Sequence, residues 1–154
     1  MSLKNSRLQS WLLVLLWAGL IFGSSTSAFG GRQTASIVIP ILHFLLPSAG
    51  PDTLDLLHEF IRKCAHFVNY AVLGVLLFRA LRAPHKGWAL RWALWAVLIA
   101  GTYACSDEYH QSFEAGRGPS AMDALLDTTG ASAGQVVTWL FLRNRRRQSA
   151  PADS

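Results

Sequence analysis

The chain has 154 residues, of which 51% are hydrophobic and only 15% charged, and its mean hydropathy is +0.28. A soluble domain carries about a quarter charged residues, so this composition excludes an ordinary water-soluble globule. The formal net charge of +5 is gathered into short blocks between long apolar ones. That is the pattern of an all-α, polytopic membrane protein forming one domain over residues 1–154, and it gives no reason to expect nucleic acid as a partner.

In chain order, Lys4 and Arg7 precede a first apolar segment over residues 11–29. Its end at Thr26-Ser27-Ala28 also resembles a signal-peptide cleavage site, but its length and tryptophans favour a retained span. Residues 35–46 are apolar yet too few to cross ~30 Å of hydrocarbon, and Pro40 interrupts them, so a short extracytoplasmic interfacial or re-entrant helix is expected. Further spans are predicted over residues 65–81, 88–109 and 121–142, four in all, with a basic tail over 143–154. The second is extended backward by a helical stretch from Asp52, whose acids Asp52, Asp55 and Glu59 suit a helix N-terminus.

The basic residues orient these spans. Numbering sides by alternation, Lys4, Arg7, Arg79, Arg82, Lys86, Arg91, Arg143, Arg145, Arg146 and Arg147 share one side; only Arg32, Arg62, Lys63 and Arg117 occupy the other. The positive-inside rule then places both termini in the cytoplasm. All the acids but Asp153 fall on the outer side. The Arg143–Arg147 run reads as a stop-transfer anchor or an anionic-lipid contact.

Polar residues inside this frame converge. Arg62, His66, Asn69 and Tyr70 form one stripe at the outer end of the second span. Asp107, His110 and Gln111, with Glu108 beside them, occupy the outer end of the third, and Asp123 and Asp127 the outer start of the fourth. Turn residues Gly116-Arg117-Gly118-Pro119 join the last two helices at that level. Ionisable groups at membrane depth face a bundle interior or a wet cavity, so an extracytoplasmic pocket is predicted. Pairing of acids with Arg62, Lys63 or Arg117 as interhelical glue is the alternative, although such contacts are worth only ~0.6–2 kcal/mol each. His43, His58 and His85 read as interfacial or loop residues, and Tyr70 and Tyr109 as packing residues with a polar tip. Cys64 and Cys105 match no zinc pattern; two buried thiols are expected rather than a bridge. Gly130-Ala131-Ser132-Ala133-Gly134 is a small-residue face for close helix packing, with a homodimer seam through Gly130 and Gly134 as the alternative.

The segment from Arg62 to Gly74, the run Ser106-Asp107-Glu108-Tyr109-His110-Gln111-Ser112-Phe113 with Gly116-Arg117, and Asp123 to Ala131 resemble the three motifs of the VanZ-like membrane proteins. Ile21-Phe22 and Ser24-Ser25 fit as well. Asn69 stands where many members carry an acid, and Asp127 where asparagine is common. The resemblance implies a bacterial plasma-membrane protein with a role in the cell envelope. The family's namesake is associated with resistance to teicoplanin-type glycopeptides, without a settled mechanism.

Two functions of different class follow. In an intramembrane enzyme acting on a lipid head group or lipid-linked envelope precursor, His110 or His66 is the general base, and Asp107, Glu108 and Asp123 orient it or hold a metal. Arg62, Lys63, Gln111, Arg117, Tyr70 and Asp127 then bind the ligand, phosphate above all at the cations. In a non-enzymatic binder of anionic lipid or lipoglycopeptide, the cations matter most; a small transporter is a third option. The sequence leaves cofactor and metal content open.

Overall fold

The computed structural model describes residues 3–26, 31–113 and 120–148. These form five helices and no strand: α1 (Leu3–Ser25), α2 (Gly31–Leu45), α3 (Pro51–Arg82), α4 (Leu90–Gln111) and α5 (Ala121–Gln148). The all-helical expectation holds. Two of the helices, over Ser6–Ser25 and Pro51–Arg82, are long and apolar enough to cross a membrane. With 22 and 28 residues α4 and α5 have the length, but the acids in the last turns of α4 and the first turns of α5, with their many small residues, dilute their apolarity. The expected break at Pro40 does not occur, since α2 runs through it.

Helix α3 is the hub. It packs on α5, α4, α1 and α2, and α2 touches no other element among the described residues. Its contact with α5 rests on glycine. A Cβ on Gly130 would run into the Phe67 carbonyl, one on Gly134 into the Ala71 carbonyl, and one on Gly74 would sit 2.8 Å from the Ala131 carbonyl oxygen. The backbones therefore touch directly, as small-xxx-small faces allow. Residue 67 facing 130 and 71 facing 134 means the two helices run parallel, as two elements separated by one antiparallel helix must. This face is covered within the chain by α3.

The buried side of α4 is a row of Ala93, Ala96, Ala100 and Ala104, all 4% exposed or less. Their spacing marks one helix face, and Asp107 and Gln111 prolong it. Larger side chains from the neighbours fill the space: Tyr70, Leu73, Leu77 and Phe78 of α3, Val14 and Ile21 of α1. Three hydrogen bonds fasten α1, from Trp17 Nε1 to the Asn69 carbonyl (3.0 Å), from Tyr103 Oη to the Ala18 carbonyl (2.7 Å) and from Ser25 Oγ to Asp107 Oδ2 (2.7 Å). Outward, α1 presents Leu12, Leu15, Leu16 and Leu20, α2 Ile37, Ile41 and Phe44, and α5 Val136, Val137 and Phe141. So continuous an apolar surface is unsuited to water.

Several expectations change. Cys64 and Cys105 are free, as expected, but exposed rather than buried. Tyr109 is 68% exposed, with its ring edge-on to Phe113 at 5.1 Å between centroids. His58 is buried between α2 and α3, its Nε2 3.1 Å from Thr34 Oγ1.

Candidate functional site

At the N-terminal half of α3, the end of α4 and the start of α5, a narrow cleft is lined by Arg62, Lys63, His66, Glu108, Gln111, Asp123, Leu126 and Asp127. Seven of these are polar residues singled out by the sequence.

At the rim, Lys63 Nζ donates to Asp123 Oδ1 at 2.9 Å, joining α3 to α5. Arg62 makes a forked contact with Glu59 one turn back, Nε to Oε2 at 3.1 Å and Nη2 to Oε1 at 2.8 Å. The Lys63 and Glu59 side chains are 43% and 44% exposed, so these are screened pairs, worth ~0.2–1 kcal/mol. Glu59, read from the sequence only as a helix-start charge, is thus the partner of Arg62; its place one turn before Arg62 was the available signal.

Deeper, Asp127 is 2% and Glu108 9% exposed. Asp127 Oδ2 lies 3.7 Å from His66 Nδ1, beyond a formed hydrogen bond but within the looseness common in unliganded catalytic pairs. Asp127 Oδ1 is buried and has no hydrogen-bond partner among the described residues. Glu108 Oε2 accepts the Ser120 backbone N–H at 2.9 Å. Ser120 caps α5, its Oγ accepting from the Asp123 N–H at 3.2 Å. Glu108 therefore fixes where α5 begins relative to the end of α4.

Asp107 lies behind the cleft, on the α1 side. Its Oδ2 accepts from Ser25 Oγ at 2.7 Å and from Gln111 Nε2 at 3.0 Å, while Oδ1 stays unpartnered and buried. Ser25 as a donor to an acid is not apparent from the sequence, where the Ser24-Ser25 pair at the end of the first span is the only signal. Tyr70 is fully buried with an unpartnered hydroxyl and does not line the cleft.

His110 also stands outside it. Its ring packs against Phe22 of α1 at 4.8 Å between centroids, and its Nδ1 is buried without a partner among the described residues. The reason is helical: at about 100° per residue, Glu108 and His110 project roughly 160° apart. Glu108 is turned to α5 and His110 to α1. Of the two histidines proposed as base, only His66 reaches the cleft. Arg117 and the rest of the Gly116–Pro119 turn lie outside the described residues. Among those residues no three His, Cys, Asp or Glu side chains converge as a metal site would require.

A family model described as VanZ/LLP1 matches residues 10–142, most of the chain. No curated protein and no solved structure gave a match. The chain belongs to the VanZ/LLP1 family.

Proposed function

We propose, on the premise of that membership, that the protein crosses the bacterial plasma membrane with α1, α3, α4 and α5, and that its cleft opens on the extracytoplasmic side to a phosphate-bearing lipid head group or lipid-linked envelope precursor. Helix α2 then rests on the outer interface, and both termini lie in the cytoplasm. Several features support this frame. The 32 residues of α3 span about 48 Å at 1.5 Å per residue, well beyond the ~30 Å of hydrocarbon. Its first turns, with Glu59, Arg62 and Lys63, therefore project outward. At the opposite end Arg82 donates to the Gly87 carbonyl at 2.9 Å, and the Arg146 guanidinium comes against Gly87, whose left-handed φ of 88° suits glycine. Basic ends of α3 and α5 thus meet at one level, the expected cytoplasmic face.

The observation that carries the functional reading is the cleft's ordering, with Arg62 and Lys63 at the rim and His66 beside buried Asp127 within. Arg62 and Lys63 engage phosphate oxygens. His66, oriented by Asp127, moves a proton at the reacting centre. Asp107 and Gln111 support this wall from behind.

The test is mass spectrometry of phospholipids and lipid-linked wall precursors from cells making the parent, the His66→Ala or the His110→Ala protein at matched membrane levels. A modified lipid should appear with the parent, vanish with His66→Ala and persist with His110→Ala. Identical profiles with and without the protein would overturn the enzyme and favour a head-group binder, a reading that the two rim cations support on their own.

A further inference from the structure

The charges of the cleft are unequal, and their placement is graded. Each rim cation already has an acid of its own, Arg62 with Glu59 and Lys63 with Asp123. Glu108 and Asp127 remain, with no arginine or lysine within ion-pair distance among the described residues. Among the described residues, Glu59, Glu108, Asp123 and Asp127 stand against Arg62, Lys63 and His66, and of the three cations only His66 pairs with one of the two deeper acids. A purely anionic head group would gain a contact at the rim by displacing a carboxylate and would then face two further carboxylates below. The floor also holds an unmet need: Asp127 is 2% exposed and its Oδ1 has no partner, while Glu108 offers Oε1 beside the oxygen held by Ser120. An unpaired buried carboxylate oxygen is costly and calls for a donor. A donor that also carries positive charge meets both the hydrogen-bonding and the electrostatic requirement.

Resting on the head-group reading above, we infer that the cleft is built for a zwitterionic phospho-amine head group, its phosphate on Arg62 and Lys63 and its primary ammonium between Glu108 and Asp127 Oδ1. A primary ammonium has three N–H donors, enough for both carboxylates. A quaternary amine has none and leaves Asp127 Oδ1 unsatisfied. The phosphate and ammonium of phosphoethanolamine are joined by a two-carbon link, short enough to bridge one helical turn of about 5.4 Å, the step on α5 from Asp123 at the rim to Asp127 below.

Titration calorimetry on the full-length protein in detergent, with chain-matched short phosphatidylethanolamine, phosphatidylcholine and phosphatidylglycerol, tests this. The ethanolamine lipid should bind about tenfold tighter than the other two, the scale of a charge-assisted hydrogen bond. Asp127→Asn and Glu108→Gln should each remove about that factor for the ethanolamine lipid and leave the glycerol lipid no weaker. Arg62→Gln should weaken both. If Asp127→Asn does not fold, Glu108→Gln carries the comparison alone. Soluble glycerophosphoethanolamine displacing the lipid would identify a free head group as the ligand, and failure to displace would identify the lipid; either keeps the phospho-amine chemistry. Phosphatidylglycerol binding as tightly as phosphatidylethanolamine, with Glu108→Gln indifferent between them, would overturn the inference while leaving a head-group site. Absence of saturable binding by any of the three to folded parent would overturn the head-group reading itself.

Discussion

Replacing Gly130 with alanine adds one methyl where α5 meets the α3 backbone. The new Cβ would be driven into the Phe67 carbonyl, with Phe67 Cα only 3.2 Å away. Both obstacles are backbone, so neither can rotate aside, and the helices must separate. Overpacking of this kind costs about 1–3 kcal/mol. At roughly 2–4 °C per kcal/mol for a chain of this size, the thermal midpoint in detergent should fall by about 2–12 °C. Gly19→Ala is the control, since its Cβ would meet nothing within 4 Å. The same displacement acts on the cleft, because Phe67 adjoins His66 and Gly130 is one turn from Asp127. Gly130→Ala should therefore weaken whatever His66 and Asp127 do together, even though it touches neither. Wild-type midpoints for Gly130→Ala and for the Gly130→Ala/Gly134→Ala double variant, with only self-association altered, would refute the direct backbone contact and restore the seam between two copies.

Other outcomes follow from single contacts. Ser25→Ala leaves Asp107 Oδ2 with Gln111 alone and should cost about 1.5–3 kcal/mol, the scale of a hydrogen bond to a charged group; Ser24→Ala, whose hydroxyl bonds only the Ile21 carbonyl, should shift a melting curve far less. A double-mutant cycle on Lys63 and Asp123 should return no more than about 1 kcal/mol, because the pair is partly exposed, and a coupling several times larger would make it structural glue. Both cysteines should react with a thiol reagent without prior reduction, since they are free. A reporter fused after Gln148 should be active only as a cytoplasmic reporter; periplasmic activity would invert the proposed topology.

The helical class was legible because long apolar blocks with small-residue and polar stripes admit little else. Part of the cleft was legible as well: Arg62 with His66 and Asp123 with Asp127 each share a face by helical spacing, whereas the face read on α4 was Asp107, His110 and Gln111, of which only Gln111 lines the cleft. The small-residue run around Gly130 was also readable, but not its partner. A flat face serves a neighbouring α3 or a second copy equally well, and only the tertiary structure puts the Phe67 and Ala71 carbonyls against it.

Within the polar cluster, local sequence stops short for a geometric reason. Helical periodicity says which side chains of one helix point together, but not which neighbouring helix they meet. Asp107, Glu108, His110 and Gln111 look like one group in the chain, yet they fan over half the circumference of α4. Packing between α1 and α5 divides them: Asp107 goes to Ser25, His110 to Phe22, and Glu108 to the start of α5. The residues of the cluster were thus determined by sequence. Which histidine faces the cleft, and which carboxylates are left there without a cation, were decided by tertiary packing, because both depend on which neighbouring helix each side chain meets.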